Sequence, residues 1–197
     1  MIPPTRPEAL PALVARALAT RTGTCWVGID GLGAAGKTTL AAQVAAALPG
    51  AVVVHVDDFA RPGVQGWERD RFRSQVLEPL LAGRPARYHL WDLDTDVVLG
   101  EAEVPVGVPV LVEGVAATDV RVGVPWDLTV WLEVPEEVRH ARSLGRDSAA
   151  WLQRWRTDWW PSEQAYLVDQ RPAERADIVV SWGPAQPSDG PDEAADG

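Results

Sequence analysis

Cysteine is almost missing from this chain of 197 residues: Cys25 stands alone. A single thiol excludes an intrachain disulfide and a thiolate metal cluster, and at the start of an apolar run it reads as a small core residue. Long apolar runs are missing too, since none approaches the ~18 residues needed to span a bilayer. The opening residues, MIPPTRPEAL, lack a basic stretch leading into an apolar one, so no signal peptide is expected and the expected compartment is the cytoplasm. Basic clusters are absent as well. The net charge is −10, of which Asp189, Asp192, Glu193 and Asp196 near the end contribute −4, leaving −6 for the body. Neither nucleic acid nor an anionic membrane is therefore expected as a partner. With 46% apolar and 23% charged residues, the composition is that of an ordinary globular protein. The length suits one domain with a sizeable core.

What is present is concentrated in Val27 to Leu40, VGIDGLGAAGKTTL. Gly31-Leu32-Gly33-Ala34-Ala35-Gly36-Lys37-Thr38 fits the phosphate-binding pattern G-x-x-x-x-G-K-[ST]. An apolar run from Cys25 to Ile29 precedes it as a buried strand, and an Ala/Leu-rich run from Thr38 to Leu48 follows it as a helix. Glycines let the backbone curl so that successive N–H groups point at phosphate oxygens, and the helix N-terminus adds its dipole. Lys37 is expected on the β- and γ-phosphates and the Thr38 hydroxyl on Mg²⁺. A Gly-rich turn without a ligand would need neither residue. No guanine-reading motif such as N-K-x-D is visible, so ATP is the expected nucleotide.

Residues 1–6 are Pro-rich and expected to be loose, and Glu8 to Thr20 has helical spacing, with Pro11 in the first turn where it costs least. Ala51 to Val56, Pro109 to Val112, Trp126 to Val134 and Asp177 to Ser181 read as further strands. Apolar strands alternating with helices predict a parallel sheet covered on both faces, with ligands gathered at the carboxyl ends of its strands. Further helices are expected over Trp67 to Gly83, with Val76, Leu77, Leu80 and Leu81 on its apolar side, and from Glu136 to about Leu144. Tyr88 to about Val106 reads as an irregular hairpin. After Gly183 the composition is that of a disordered tail.

Several charged residues fall where chemistry would need them. Asp57-Asp58 ends the second strand, as candidates for a base or metal partner or as turn caps. Adjacent residues on an extended strand point opposite ways, so the two are expected to do different jobs. Glu113 ends the third strand; an ionised carboxylate so close to the core needs a cation, which favours a Mg²⁺ role over a loop cap. Arg139, Arg142 and Arg146 lie on or just past the Glu136 helix. Arg142 and Arg146, four apart, either clamp a transferring phosphoryl group or pair with local acids such as Glu136 and Asp147. Tyr88-His89-Leu90-Trp91-Asp92 alternates aromatic and polar residues, which suits a pocket wall and a surface hairpin equally. Trp151, Trp155 and Trp159 form one helical stripe, for which core packing is the default explanation and an aromatic lid the lesser one.

Gly31 to Thr39, Asp57-Asp58-Phe59, Val112-Glu113-Gly114, Arg142 with Arg146-Asp147, and Ala176 to Val180 occur in this order. Together they resemble the uridine kinase-like group of phosphate-loop kinases, which includes pantothenate kinase and phosphoribulokinase, over roughly residues 22 to 182. The resemblance implies a three-layer α/β phosphate-loop fold, with a five-stranded parallel sheet in the order 2-3-1-4-5, helices on both faces and a helical lid at about 139–160. Residues 1–182 would form the single domain and 183–197 an acidic tail. It also implies that Gly31, Leu32, Gly33, Ala34, Ala35, Gly36, Lys37, Thr38 and Thr39 hold ATP, with Thr38 and Glu113 at Mg²⁺. Asp57 matches the base that takes the acceptor's hydroxyl proton, and Arg142 and Arg146 match lid arginines on the triphosphate. Asp58 stands where relatives carry a small residue. Tyr88 resembles an aromatic of the nucleoside pocket, although His89 and Leu90 break the usual Tyr-Asp-Phe; Asp58, Tyr88 and His89 are the acceptor-site candidates. The expected activity is ATP-dependent phosphorylation of a small-molecule hydroxyl, with a nucleoside first. The alternatives are another small alcohol, such as a pantothenate-like acid or a specialised metabolite, and an ATPase switch acting on a protein partner.

Overall fold

The computed structural model describes residues 5–61, 64, 66–92, 95, 97–146, 153 and 155–181. Its frame is a five-stranded parallel sheet of β1 (Cys25–Gly31), β2 (Val52–His55), β5 (Pro109–Gly114), β6 (Leu128–Glu133) and β7 (Ile178–Ser181). The spatial order is β2-β5-β1-β6-β7. Counted within the sheet alone this is the expected 2-3-1-4-5. Two further strands, β3 (Ala86–Asp92) and β4 (Val97–Val104), pair antiparallel as a separate hairpin, with a register shift between Leu90 and Trp91. All seven residues of β1 are buried, as befits a central strand with both faces covered.

Alternation along the strands feeds two cores. Val27 and Ile29 of β1 and Leu111 of β5 pack with Leu10, Val14 and Leu18 of α1 (Leu10–Leu18) and with Leu40 and Val44 of α2 (Lys37–Ala46). Cys25 belongs to this core, as its place in the chain suggests. On the other face Trp26, Val54, Val110 and Val112 meet Phe59, Trp67, Phe72, Val76 and Tyr88. This gives the helix–sheet–helix layering of an α/β domain.

Three local expectations are revised. Thr5, in the stretch read as loose, is bound beside β7: its N–H reaches Val179 O at 2.8 Å, and Ser181 N–H reaches Thr5 O at 3.2 Å. The helix expected over 67–83 is α3 (Arg69–Phe72), a π-helical turn (Arg73–Leu77) and α4 (Glu78–Leu81). The wider turn rotates the end of the run, so Phe72, Val76 and Leu80 are buried while Leu81 is 58% exposed. The tryptophan segment is π-helical over Trp155–Trp159 and continues as α6 (Trp160–Gln170) and α7 (Pro172–Arg175). Trp151, Asp147 and the tail lie outside the described residues. The helix after β6 is α5 (Glu136–Arg146).

Candidate active site

The loop runs from the end of β1 to the start of α2. Gly36, at φ +93°, is the left-handed residue that turns the chain into the helix, and Ala34 takes φ +60°, a conformation that disfavours a side chain. Such strain in a non-glycine residue fits a loop whose backbone N–H groups must converge. Lys37 is 8% exposed, and its Nζ donates to Leu32 O at 2.9 Å, folding the ammonium back across the loop.

Glu113 reaches the loop from β5. Its Oε1 accepts from Thr38 Oγ1 at 2.9 Å and lies 2.5 Å from His55 Nδ1. The parallel register sets His55 of β2 opposite Glu113 of β5, so both side chains leave the same face. The hydrogen bond to Glu113 raises the His55 pKa above its usual value, against the opposing effect of burial. Gly114, at φ +145°, closes the strand where a Cβ would stand 1.9 Å from Val56. This close approach brings the 3₁₀ turn Val56–Phe59, with its two aspartates, against the end of β5.

Asp57, Lys37, Thr38, Thr39 and Glu113 line one cavity of about 250 Å³. Asp58 does not line it. Its Oδ2 is buried without a hydrogen-bond partner among the described residues, and burial pushes its pKa up to about 6. The two aspartates do point to different surroundings, but because they sit in a 3₁₀ turn: the strand stops at His55. Tyr88 is buried away from the cavity, stacked on Phe59 with centroids 5.2 Å apart. His89 is on the hairpin surface, its Nε2 3.3 Å from Glu101 Oε1.

Arg142 Nη1 donates to the carbonyls of Ala34 and Ala35, each at 3.3 Å. Arg139, one turn earlier on α5, donates to Gly33 O at 3.4 Å and to Val134 O at 3.2 Å. Arg139 and Arg142 thus hold the loop as a pair; the side chain of Arg146 lies outside the described residues. The rest of the cavity wall includes Trp67, Arg69, Trp155, Trp159 and Glu163. Trp155 and Trp159 therefore face the cavity and are not core residues, and Trp155 meets Trp160 edge-on at 5.0 Å.

Sequence reasoning did not assign roles to His55, Arg139, Trp67 or Glu163. His55 carried one signal, a lone polar residue in an otherwise apolar strand ending beside the two aspartates. Glu163 carried none, because its position at the loop depends on α6 returning across the sheet.

A parallel sheet in this order, with the phosphate-loop pattern after its central strand and helices on both faces, is a three-layer α/β phosphate-loop fold. No protein-family model matches the chain, and no curated protein sequence does. Among solved structures, a possible uridine kinase from Bacillus stearothermophilus superposes with a TM-score of 0.65 at 21% identity, covering 88% of this chain and 98% of that one. A candidate fructose transport system kinase from Silicibacter sp. TM1040 superposes with a TM-score of 0.59 at 23% identity, covering 91% and 100%. At these identities the likeness is one of fold. No helix among the described residues is long and apolar enough to cross a membrane.

Proposed function

We propose that this chain transfers the γ-phosphoryl group of ATP to a hydroxyl of a small molecule, with a nucleoside as the first candidate acceptor. The observation that carries this reading is that Lys37, Thr38, Glu113 and Asp57 face one cavity from three different strand ends. In this reading the loop from Gly31 to Thr39 holds the triphosphate, and Lys37 turns its ammonium from Leu32 O to the β- and γ-oxygens. Asp57 accepts the proton of the acceptor hydroxyl as that oxygen bonds to the γ-phosphorus and the bond to the β-phosphate oxygen breaks, leaving ADP. Arg139 and Arg142 keep the loop in shape, and Arg142 can turn to the transferring group, while Arg146 enters only through the resemblance.

Thr38 Oγ1 and Glu113 Oε1 are hard oxygen donors 2.9 Å apart, a pairing that suits Mg²⁺ held by few protein groups and completed by phosphate and water. When bound there, Mg²⁺ neutralises charge on the phosphates. His55, with Nδ1 2.5 Å from that same Oε1, orients the Glu113 carboxylate.

The walls away from the loop favour an acceptor with a flat or apolar face. Trp67 and Trp159 supply indoles, and the Trp67 N–H is buried without a hydrogen-bond partner among the described residues. Asp58, Tyr88 and His89 remain acceptor candidates only through the resemblance, since they stand off this cavity.

The test is an acceptor panel of nucleosides, sugars and pantothenate-like alcohols, read by ATP consumption and product mass. One acceptor should gain 80 Da-class phosphate mass with stoichiometric ADP. Asp57→Asn should then lower kcat by about 10²–10⁴-fold while leaving nucleotide affinity within about twofold. ATP hydrolysis indifferent to every acceptor but stimulated by a protein would replace this reading with the switch.

A further inference from the structure

Glu163 is 4% exposed, in the first turn of α6, on the wall of the cavity that holds Lys37 and Asp57. Its Oε1 accepts from the Trp155 indole N–H at 3.0 Å and lies beside Gly33 of the loop, 3.6 Å from where a Cβ on that glycine would stand. Its Oε2 is buried without a hydrogen-bond partner among the described residues. Burial raises its pKa, and the Trp155 hydrogen bond with the charges of Lys37 and Arg139 works against that rise. A carboxylate buried with one oxygen unpaired is costly, so its position calls for a physical reason. The groups it faces supply one. A loop amide, a lysine ammonium and a guanidinium are what a phosphate loop turns toward phosphate oxygens. Glu163 meets them with the same charge sign and the same acceptor character.

We propose that Glu163 is a built-in occupant of the phosphate site: α6 lays its carboxylate beside Gly33 of the loop, and the terminal phosphates of a nucleotide must displace it. This rests on the nucleotide-binding half of the proposed function and adds its regulation. The helix has a fixed point and a releasable end. One turn beyond Glu163, the Tyr166 hydroxyl donates to Asp30 Oδ2 at 2.7 Å. Asp30 also accepts from the N–H groups of Gly31, Ala116 and Thr118 and from the Thr118 hydroxyl, so that anchor is firm. The Glu163 end is joined to the π-helical segment Trp155–Trp159, a turn geometry common at functional sites. Gly33 and Trp155 also line a larger cavity of about 710 Å³ beside α5. Gly33 and Trp155, the hydrogen-bond partner of Glu163, are thus common to the walls of both spaces.

Glu163→Gln keeps the shape and an oxygen for Trp155 while removing the charge. Affinity for a non-hydrolysable ATP analogue with Mg²⁺, measured by calorimetry, should rise about tenfold in this variant. Trp155→Phe, which frees Oε1, should shift affinity in the same direction. Equal or weaker binding by E163Q at an unchanged melting temperature overturns the inference alone. If E163Q melts lower, W155F decides, and unchanged affinity in W155F overturns it. Absence of nucleotide binding by wild type and variants alike overturns the kinase reading and this inference together.

Discussion

Asp57 and Asp58 are the same residue side by side, and their surroundings make them chemically different. Asp57 is exposed to the cavity beside the loop. Asp58 is half-buried near Tyr88 and Phe59, with Arg71 donating to its backbone oxygen. Burial raises its pKa from 3.8 to about 6, so the folded chain holds this proton more tightly than the unfolded chain does. The stability that this contributes is complete below the unfolded value and is lost as pH rises through about 6. At neutral pH the ionised Asp58 is a liability. Asp58→Asn should therefore raise stability at pH 7 by about 1–2 kcal/mol after allowing for solvent screening, and by nothing at or below about pH 4. Thermal melts of the two proteins across that range check it, and parallel curves would mean the carboxylate is not penalised.

Elements meet at Asp119, in the loop that follows β5. Burial alone would raise its pKa, but hydrogen bonds from Arg121 and Gln170, with the charge of Arg69, hold it well below the usual carboxylate range. Arg69 belongs to α3 and donates at 2.5 Å; Gln170 ends α6 and donates at 2.7 Å. One fully buried carboxylate thus joins the helix before the hairpin to the helix that carries Glu163. Its depressed pKa contributes stability present above the unfolded carboxylate range and lost as pH falls through the folded value. Asp119→Asn should cost about 3 kcal/mol in urea unfolding at pH 7, since it leaves two arginines short of a partner, and should flatten the acid limb of the stability curve. A cost below about 0.5 kcal/mol would place the junction elsewhere.

Over the whole molecule, the cations are divided between two residue types. Seventeen of the eighteen are arginines, and Lys37 is the only lysine. Arginine's planar fork suits the tethers seen at Asp119, at the loop carbonyls and at the backbone of residue 58, whereas a compact ammonium suits a phosphate site. An amine-directed acylating reagent therefore has two targets in the chain, Lys37 and the α-amino group. A Mg²⁺–nucleotide complex should slow acylation of Lys37 several-fold and leave the terminus unchanged, as read by peptide mass. Equal protection of both, or of neither, would separate Lys37 from the nucleotide.

By itself the sequence determined the sheet and the loop pattern after its central strand, and it drew attention to the acids that follow two other strands. Strand runs, the loop pattern and residues such as Asp57 and Glu113 are local signals, set by the neighbours within a few positions. The tertiary structure decided what depends on segments far apart in the chain. It paired His55 with Glu113 through register, put Arg139 beside Arg142 on the loop, and drew Tyr88 into an aromatic core. It turned Trp155 and Trp159 toward the cavity through a π-helical turn that no heptad or 3.6-residue spacing announces. Above all it laid Glu163 beside Gly33, because the meaning of a carboxylate 130 residues downstream comes from the loop it is folded against.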